Sequence, residues 1–409
     1  MQKIMNITML LILVGLNISC QNNVVAPATE PVQIELTPRS AELISSNNDF
    51  GVNLFTKTAI EENENMMLSP LSAGIALTML LNGSDGATLA QLKEMLGHPA
   101  DMSVSDINKA YQTLIEQLLV ADPQVTLAIA NAIFYREDFV FKRPFMDLMA
   151  DEFDANVEGL DFNRPEAVNT INKWASDNTN NRIPKVIDQI NANMVMFLMN
   201  ALYFKGNWSE QFNPENTAPK YFTLDNGGQI LVSTMEGKVG AKKHHGEGFT
   251  AIELPYGRKN FSMVVVVPHG KLIDFYPKFT PQLWNEITTS LNAQQEWNPV
   301  LVNLPKFSFE YERLLNSQLK ALGMVDAFNP READLSGISD AELFVSFVKQ
   351  NTFVEVSEVG TEAAAVTTIG VEVTSMPPYL FVNKPFIFAI RERTTNALLF
   401  MGSVTNPTK

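Results

Sequence analysis

Residues 358–378, EVGTEAAAVTTIGVEVTSMPP, are the most informative segment of the chain. Its Ala-rich centre has high helix propensity, and Thr361 could act as an N-cap. The β-branched residues that follow argue against a helix, because no apolar stripe recurs at helical spacing. With a period of two, Thr361 and Ala363 fall on one face and Glu362 falls on the other. The pattern predicts a loop that can become a β-strand.

Strand-like apolar runs enclose this loop at residues 344–356 and 379–390. Upstream, Ser69 is predicted to cap a helix that begins at Pro70, because Pro is favoured in the first turn. The run at 194–204 is too continuously apolar for a half-exposed strand, so it is predicted to lie centrally in a sheet covered on both faces. Periodicity predicts further helices at 89–96 and 107–118, strands at 125–135, 249–256 and 261–268, and a closing hairpin at 386–404.

Short motifs along nearly the whole chain resemble those of one family, the serpins. Each motif alone is weak, but their order is specific. They are Asn65 with Ser69, Pro70 and Ser72; NALYFKGNW at 200–208; LPKF at 304–307; DLSG at 334–337; GTEAAA at 360–365; NKPF at 383–386; and FMG at 400–402. The resemblance implies an α+β serpin fold with large, mainly antiparallel sheets, about eight or nine helices and an exposed reactive-centre loop at 358–378.

The N-terminus is predicted to export the protein. Residues 1–19 read as a signal peptide, because Lys3 precedes an apolar run too short to span a bilayer. The residues before Cys20 resemble a bacterial lipobox, although Asn17 departs from it, so a lipidated Cys20 and a flexible tether over 20–37 are expected. Secretion of a protein without a lipid anchor is the alternative expectation. The sequence does not indicate which face of the membrane would hold the anchor. A single serpin domain is expected over 38–409.

Composition excludes several classes of partner. A formal charge of -15 argues against nucleic acid. The segment 101–120, which is basic in heparin-binding serpins, contains one Lys here, so no heparin is expected. The basic cluster at 242–245 is interpreted as a solvated turn. The four His residues lack metal-ligand spacing and no catalytic motif is present, so no metal, cofactor or enzyme activity is expected. The protein is also expected to be a monomer that contacts the membrane only through its lipid anchor.

The resemblance implies that the protein inhibits a serine or cysteine protease as a suicide substrate. In the family, the protease cleaves the loop, forms a covalent acyl complex and is trapped when the loop inserts into the main sheet. Counted with Glu358 as the first of 17 residues, the reactive bond is Thr374–Ser375, with cleavage after Val373 as the alternative. The small side chains favour elastase-like or subtilisin-like targets, and the absence of Lys and Arg from 359–380 disfavours trypsin-like ones.

Three groups of residues carry family roles by resemblance. In the breach, where the loop first enters the sheet, Lys306 is expected to pair with Glu358. In the shutter beneath the sheet, Gln350 replaces the His of most members and cannot titrate. The full sets are Glu358, Gly360, Thr361, Glu362, Ala363, Ala364 and Ala365 for the hinge; Ser69, Ser72, Asn200 and Gln350 for the shutter; and Trp208 and Lys306 for the breach.

Two other functions stay open at this stage. A non-inhibitory serpin could act as a binding or chaperone protein, although bulky, charged or Pro residues would then be expected in the hinge. A surface-anchored binding or colonisation protein would leave the loop incidental.

Overall fold

The computed structural model describes residues 31–62, 64–361 and 378–409. Within these ranges the chain forms nine α-helices and two β-sheets. The helices are α1 (Pro38–Glu61), α2 (Pro70–Leu81), α3 (Gly86–Met95), α4 (Val104–Val120), α5 (Arg143–Phe153), α6 (Pro165–Asn178), α7 (Leu272–Phe275), α8 (Pro281–Ala293) and α9 (Asn316–Ala321).

Fifteen strands build the two sheets of the described chain. They are β1 (Met66–Leu68), β2 (Val125–Arg136), β3 (Ala155–Leu160), β4 (Met196–Asn207), β5 (Ala218–Thr223), β6 (Gln229–Gly246), β7 (Phe249–Pro255), β8 (Phe261–Pro268), β9 (Asn298–Pro305), β10 (Phe307–Leu314), β11 (Lys349–Val356), β12 (Gly360–Thr361), β13 (Tyr379–Phe381), β14 (Phe386–Glu392) and β15 (Leu398–Val404).

The six-stranded sheet contains the strands that matter for the site. Its order is β10-β11-β12-β4-β2-β3, and only the β2–β3 pair is parallel. The nine-stranded sheet runs β1-β15-β14-β8-β7-β6-β9-β13, with β5 also paired to β6. Its β13–β9 pair is parallel. The architecture is therefore α+β with mainly antiparallel sheets, as predicted.

Helix α2 lies between the sheets and packs against β4 and β15. It begins as the sequence predicts, because the Ser69 side chain accepts a hydrogen bond from the Ser72 N–H at 3.2 Å and Pro70 occupies the first turn. Eleven of its twelve residues are buried, which explains why an apolar helix without a polar face is stable here.

Most predicted elements are confirmed, including the hairpin of β14 and β15. Three predictions are wrong in detail. Residues 344–348 precede β11 without being a strand, and 379–390 divides into β13 and β14 because the NKPF segment turns the chain between them. The basic cluster at 242–245 lies in β6 paired with β7, and Lys242 is buried rather than solvated.

Strand β4 is central, but it is not covered along its whole length. Residues 201–204 and Gly206 are buried, whereas Met196 and the segment 198–200 are half-buried. These residues line a cavity, which accounts for the difference from the predicted burial on both faces.

The end of the predicted tether contacts the folded body. The Asn260 side chain clasps the backbone of Val32, accepting from its N–H at 2.8 Å and donating to its carbonyl at 2.7 Å. Ile34 is buried two residues later. The predicted signal peptide and Cys20 lie outside the described residues. No helix over the described ranges is long and apolar enough to cross a bilayer.

Candidate functional site

The first residues of the predicted loop are a strand of the six-stranded sheet. Strand β12 lies between β11 and β4 and is antiparallel to both. Thr361 is opposite Val356 on one side and Gly206 on the other, while Gly360 is opposite Asn207. Gly360 and Thr361 of the hinge therefore already occupy the first two positions of a strand between β11 and β4.

Glycine is required at position 360. Its φ of +154° lies in the region that side chains rarely adopt, and a Cβ there would lie 2.1 Å from the Gly206 carbonyl oxygen. The glycine thus lets the chain turn into the sheet against the backbone of β4.

Thr361 points into the protein, as its position in the period-two pattern predicts. Its side chain is 4% exposed, and its hydroxyl is 2.6 Å from the hydroxyl of Tyr256. Tyr256 is fully buried, and burial raises its pKa far above the ordinary value, so its hydroxyl stays protonated. No sequence pattern marks Tyr256 as a partner of the hinge, because Tyr256 lies simply at the end of an apolar run that predicts a strand.

Glu358 anchors the loop just before the hinge strand. Its carboxylate lies 2.8 Å from Lys306 Nζ and accepts a hydrogen bond from the Thr217 hydroxyl at 2.8 Å. The predicted Glu358–Lys306 pair is therefore present, while Thr217 was not predicted. With a side chain only 10% exposed, Glu358 is a more constrained ion-pair partner than a typical surface carboxylate.

The environment of Glu358 keeps it ionised. Burial by itself raises the pKa of Glu358, but hydrogen bonds from Lys306, from its own backbone and from Thr217 outweigh burial and lower the pKa below its ordinary value. Its stabilising effect is therefore present above the ordinary glutamate pKa, about 4.3, and is lost as the pH falls through the lower folded-state value.

Trp208 closes the breach around the same segment. Its indole N–H donates to the Ser357 carbonyl at 2.9 Å, and its backbone N–H donates to the Val359 carbonyl at 2.9 Å. The indole also stacks on the Tyr256 ring, with centroids 4.4 Å apart and an interplanar angle of 10°. Trp208 and Tyr256 thus form one platform beneath the hinge.

A cavity of about 490 Å³ lies further along the six-stranded sheet, away from the breach. Its lining includes residues 194–202 around β4, the segment 342–352 that enters β11, and residues of α2. All four predicted shutter residues line it: Ser69, Ser72, Asn200 and Gln350.

Gln350 joins β11 to the start of α2. Its Nε2 donates to the Ser69 carbonyl at 2.7 Å, and its Oε1 accepts from the Ser69 N–H at 3.1 Å. The Ser69 hydroxyl in turn donates to the Leu399 carbonyl on β15 at 2.8 Å. The Gln350 amide thus forms hydrogen bonds with both the N–H and the carbonyl of Ser69, and it does so without a group that can titrate.

Asn200 makes a separate contact on the other side of the cavity. Its Nδ2 donates to Asn131 Oδ1 on β2 at 2.7 Å, and Asn131 donates to the Phe153 carbonyl at 2.7 Å. Asn200 Oδ1 is buried and has no hydrogen-bond partner among the described residues. Asn131 was missed, although a polar residue within an apolar strand run is a signal for such a partner.

The remaining predicted loop residues lie outside the described part of the chain. They are Glu362, Ala363, Ala364 and Ala365 of the hinge, and Thr374 and Ser375 of the reactive bond.

Comparison with known proteins gives a consistent result. The family model described as Serpin (serine protease inhibitor) matches residues 45–407. Human neuroserpin is 33% identical over 379 residues, covering 88% of this chain and 90% of neuroserpin. An uncharacterized serpin-like protein of Methanosarcina acetivorans is 32% identical over 376 residues, covering 90% of this chain and 86% of its own length.

Solved structures agree with the sequence comparison. The native state of tengpin, a thermophilic serpin, superposes with a TM-score of 0.81 at 30% identity, covering 92% of this chain and all of tengpin (100%). Human thyroxine-binding globulin superposes with a TM-score of 0.82 at 27% identity, covering 91% of this chain and 100% of the globulin. Its structure is a complex with the hormone.

Proposed function

Because the chain belongs to the serpin family, we propose that it inhibits a serine or cysteine protease as a suicide substrate. The protease attacks the bond Thr374–Ser375, its nucleophile forms an ester or thioester with the Thr374 carbonyl, and the segment that begins with Ser375 leaves as a new amino terminus. The loop then inserts into the six-stranded sheet before water can hydrolyse the acyl bond.

The observation that carries this proposal is the position of β12 between β11 and β4. Both neighbours are antiparallel to β12, so each further loop residue would move one position back along each of them. Thr367 lies six positions after Thr361 in the loop. On the neighbouring strands, Asn200 lies six positions before Gly206, and Gln350 lies six positions before Val356. Continued insertion would therefore bring Thr367 between the two shutter amides.

Insertion offers enough free energy to trap a protease. Pairing about ten further residues along β4 at about 1 kcal/mol net for each hydrogen bond yields on the order of 10 kcal/mol. A protease is itself stable by only about 5–15 kcal/mol. Moving the acyl bond along about 17 residues at roughly 3.3 Å each displaces the attached protease by on the order of 50 Å, which supports distortion of its active site.

The primary target is proposed to be an elastase-like or subtilisin-like protease with a shallow pocket. Thr374 and, for the alternative register, Val373 are both small and β-branched. Incubation with a panel of such proteases, followed by a denaturing gel and mass spectrometry, tests this directly. A covalent complex cleaved after Thr374 is expected. Cleavage without a complex would instead favour a substrate or binding role, and no reaction would favour a surface binding protein.

A lipid anchor at Cys20 is proposed separately, because the lipobox resemblance lies outside the folded domain. Cys20→Ala should leave a folded, inhibitory protein that no longer fractionates with membranes. Thermal unfolding checks the fold of the variant. Unchanged membrane fractionation would contradict the anchor without affecting the proposal of inhibition.

A further inference from the structure

Strand β13 presents two exposed aromatic side chains close to the loop. Tyr379 is 57% exposed and Phe381 is 46% exposed, and their ring centroids are 5.1 Å apart. Leu380 between them is buried, so the two rings share the outer face of the strand. Over the described residues β13 pairs only with β9 and forms an edge of the nine-stranded sheet.

The same face carries a net positive charge, although the whole chain has a formal charge of -15. Glu236 lies in the row of Phe381 but is paired with Lys220. Lys238 lies in one row with Leu301 and Tyr379, because Leu301 is the register partner of both. Lys243 donates from Nζ to the Tyr379 carbonyl at 3.2 Å. Within the part of the chain that the structure describes, neither lysine has a carboxylate partner.

The chain places this surface within reach of a protease at the proposed reactive bond. Tyr379 lies four positions after Ser375, and an extended chain spans at most about 3.6 Å per residue, so the two are at most about 14 Å apart. A protease–inhibitor interface buries about 800 Å² on each partner, and a circular footprint of that area has a radius of about 16 Å.

We propose that Tyr379, Phe381 and Lys238 form a second contact surface for the target protease, on the leaving-group side of the reactive bond. This inference rests on the proposed function. The partner that fits is a protease whose neighbouring rim is acidic and carries an apolar patch, because aromatic side chains provide most of the binding energy at such interfaces and lysines steer association.

The test measures binding before any acyl chemistry. An elastase and a subtilisin, each with its catalytic Ser replaced by Ala, are titrated against the full chain, and Kd is determined by surface plasmon resonance. The double variant Tyr379→Ser/Phe381→Ser should bind at least one of them about tenfold more weakly. Lys238→Gln should reduce the salt dependence of the association rate for the same protease.

Tyr221 provides the matched control. It is 64% exposed on β5 of the same sheet, where it faces Leu231 rather than β13. Tyr221→Ser should change Kd by less than twofold. Equal Kd values for the wild type and the β13 double variant would overturn the inference, as would equal losses in the β13 and β5 variants.

Two further outcomes separate this inference from the proposed function. If the active proteases form covalent complexes equally fast with the wild type and the double variant, inhibition stands and the contact surface is wrong. If the inactive proteases bind through β13 but the active ones form no complex, the surface stands and the trapping proposal fails. Sedimentation of the free chain tests whether a second copy of the protein, rather than a protease, covers β13. If the wild type is a dimer and the double variant is a monomer, a second copy covers β13 and the inference is overturned.

Discussion

The proposed trapping mechanism depends most directly on Thr361. Its side chain is 4% exposed and contacts the Tyr256 hydroxyl, so the site accepts a small side chain that can form one hydrogen bond. Thr361→Arg must either bury an unpaired guanidinium, at a cost of several kcal/mol, or leave the sheet. We expect the variant to be cleaved at the wild-type bond but to release active protease, so that more than ten molecules are consumed for each protease inhibited.

Glu362→Arg is the control for Thr361→Arg, because the period-two pattern places residue 362 on the opposite face. Its stoichiometry of inhibition should stay within twofold of the wild type. Equal losses in both variants would contradict the assignment of faces. Full inhibition by Thr361→Arg would contradict insertion as the mechanism.

Gln350 places a group that cannot titrate at the predicted shutter, and Gln350→His should introduce one that can. A neutral imidazole can accept from the Ser69 N–H and donate to its carbonyl, as the amide does. Protonation removes the acceptor, so the folded state lowers the pKa of the new His below about 6.5. Its contribution is then present above pH 6.5 and lost as the pH falls. Between pH 7.5 and 5.5 the variant should lose about 1 kcal/mol of unfolding free energy relative to the wild type, because one group with an unfolded-state pKa of about 6.5 can contribute at most about 1.4 kcal/mol over that range. Parallel pH profiles of denaturant unfolding for the two proteins would contradict this.

Strand β12 is the element that links the loop to the sheet, and the Tyr256 hydroxyl helps to hold it. Tyr256→Phe removes one buried hydrogen bond, worth about 1 kcal/mol, which corresponds to about a fivefold change in an opening equilibrium. Hydrogen exchange at Gly360 and Thr361 should therefore accelerate about fivefold. Tyr276→Phe is the control, because Tyr276 is also buried but donates to Ser403 at 2.9 Å in the other sheet. Equal exchange at β12 in both variants would show that the hydroxyl does not hold the hinge.

Elements with a continuous local pattern could be predicted from the sequence. Strand β8 matches its predicted bounds, and α2 begins at the predicted cap, because apolar periodicity and Pro70 are local signals. The division between β13 and β14 was missed, because their combined apolar run conceals a change of partner strand. The ion pair of Lys306 with Glu358 that the resemblance predicts is present, whereas the family roles of Gln350 and Lys306 stay predictions.

The partners of those residues could not be predicted in the same way. Tyr256 meets Thr361 across 105 positions of sequence, and Asn131 meets Asn200 across 69. No local pattern specifies such pairs, because each depends on which strands become neighbours in the sheet. The buried position of Lys242 has the same origin, since β7 covers a segment that reads as hydrophilic on its own.

The proposed trapping mechanism requires a native protein that is less stable than the loop-inserted product. The described sheet already contains the first two residues of an additional strand, and the cavity between β4 and β11 lies ahead of them. Completing the strand adds backbone pairing along both neighbours, so insertion should stabilise the entire domain rather than the loop alone.

Thermal unfolding of the loop-cleaved protein tests this most directly. A protease that forms no covalent complex with the protein is used to cut the loop between residues 371 and 377. The Tm of the cleaved protein is then compared with that of the intact chain. For a domain of about 370 residues, a gain on the order of 10 kcal/mol predicts that Tm rises by about 13 °C, and Thr361→Arg cut in the same way should rise less. A cleaved wild-type chain whose Tm stays within about 2 °C of the intact protein would contradict loop insertion, and with it the proposed mechanism of inhibition.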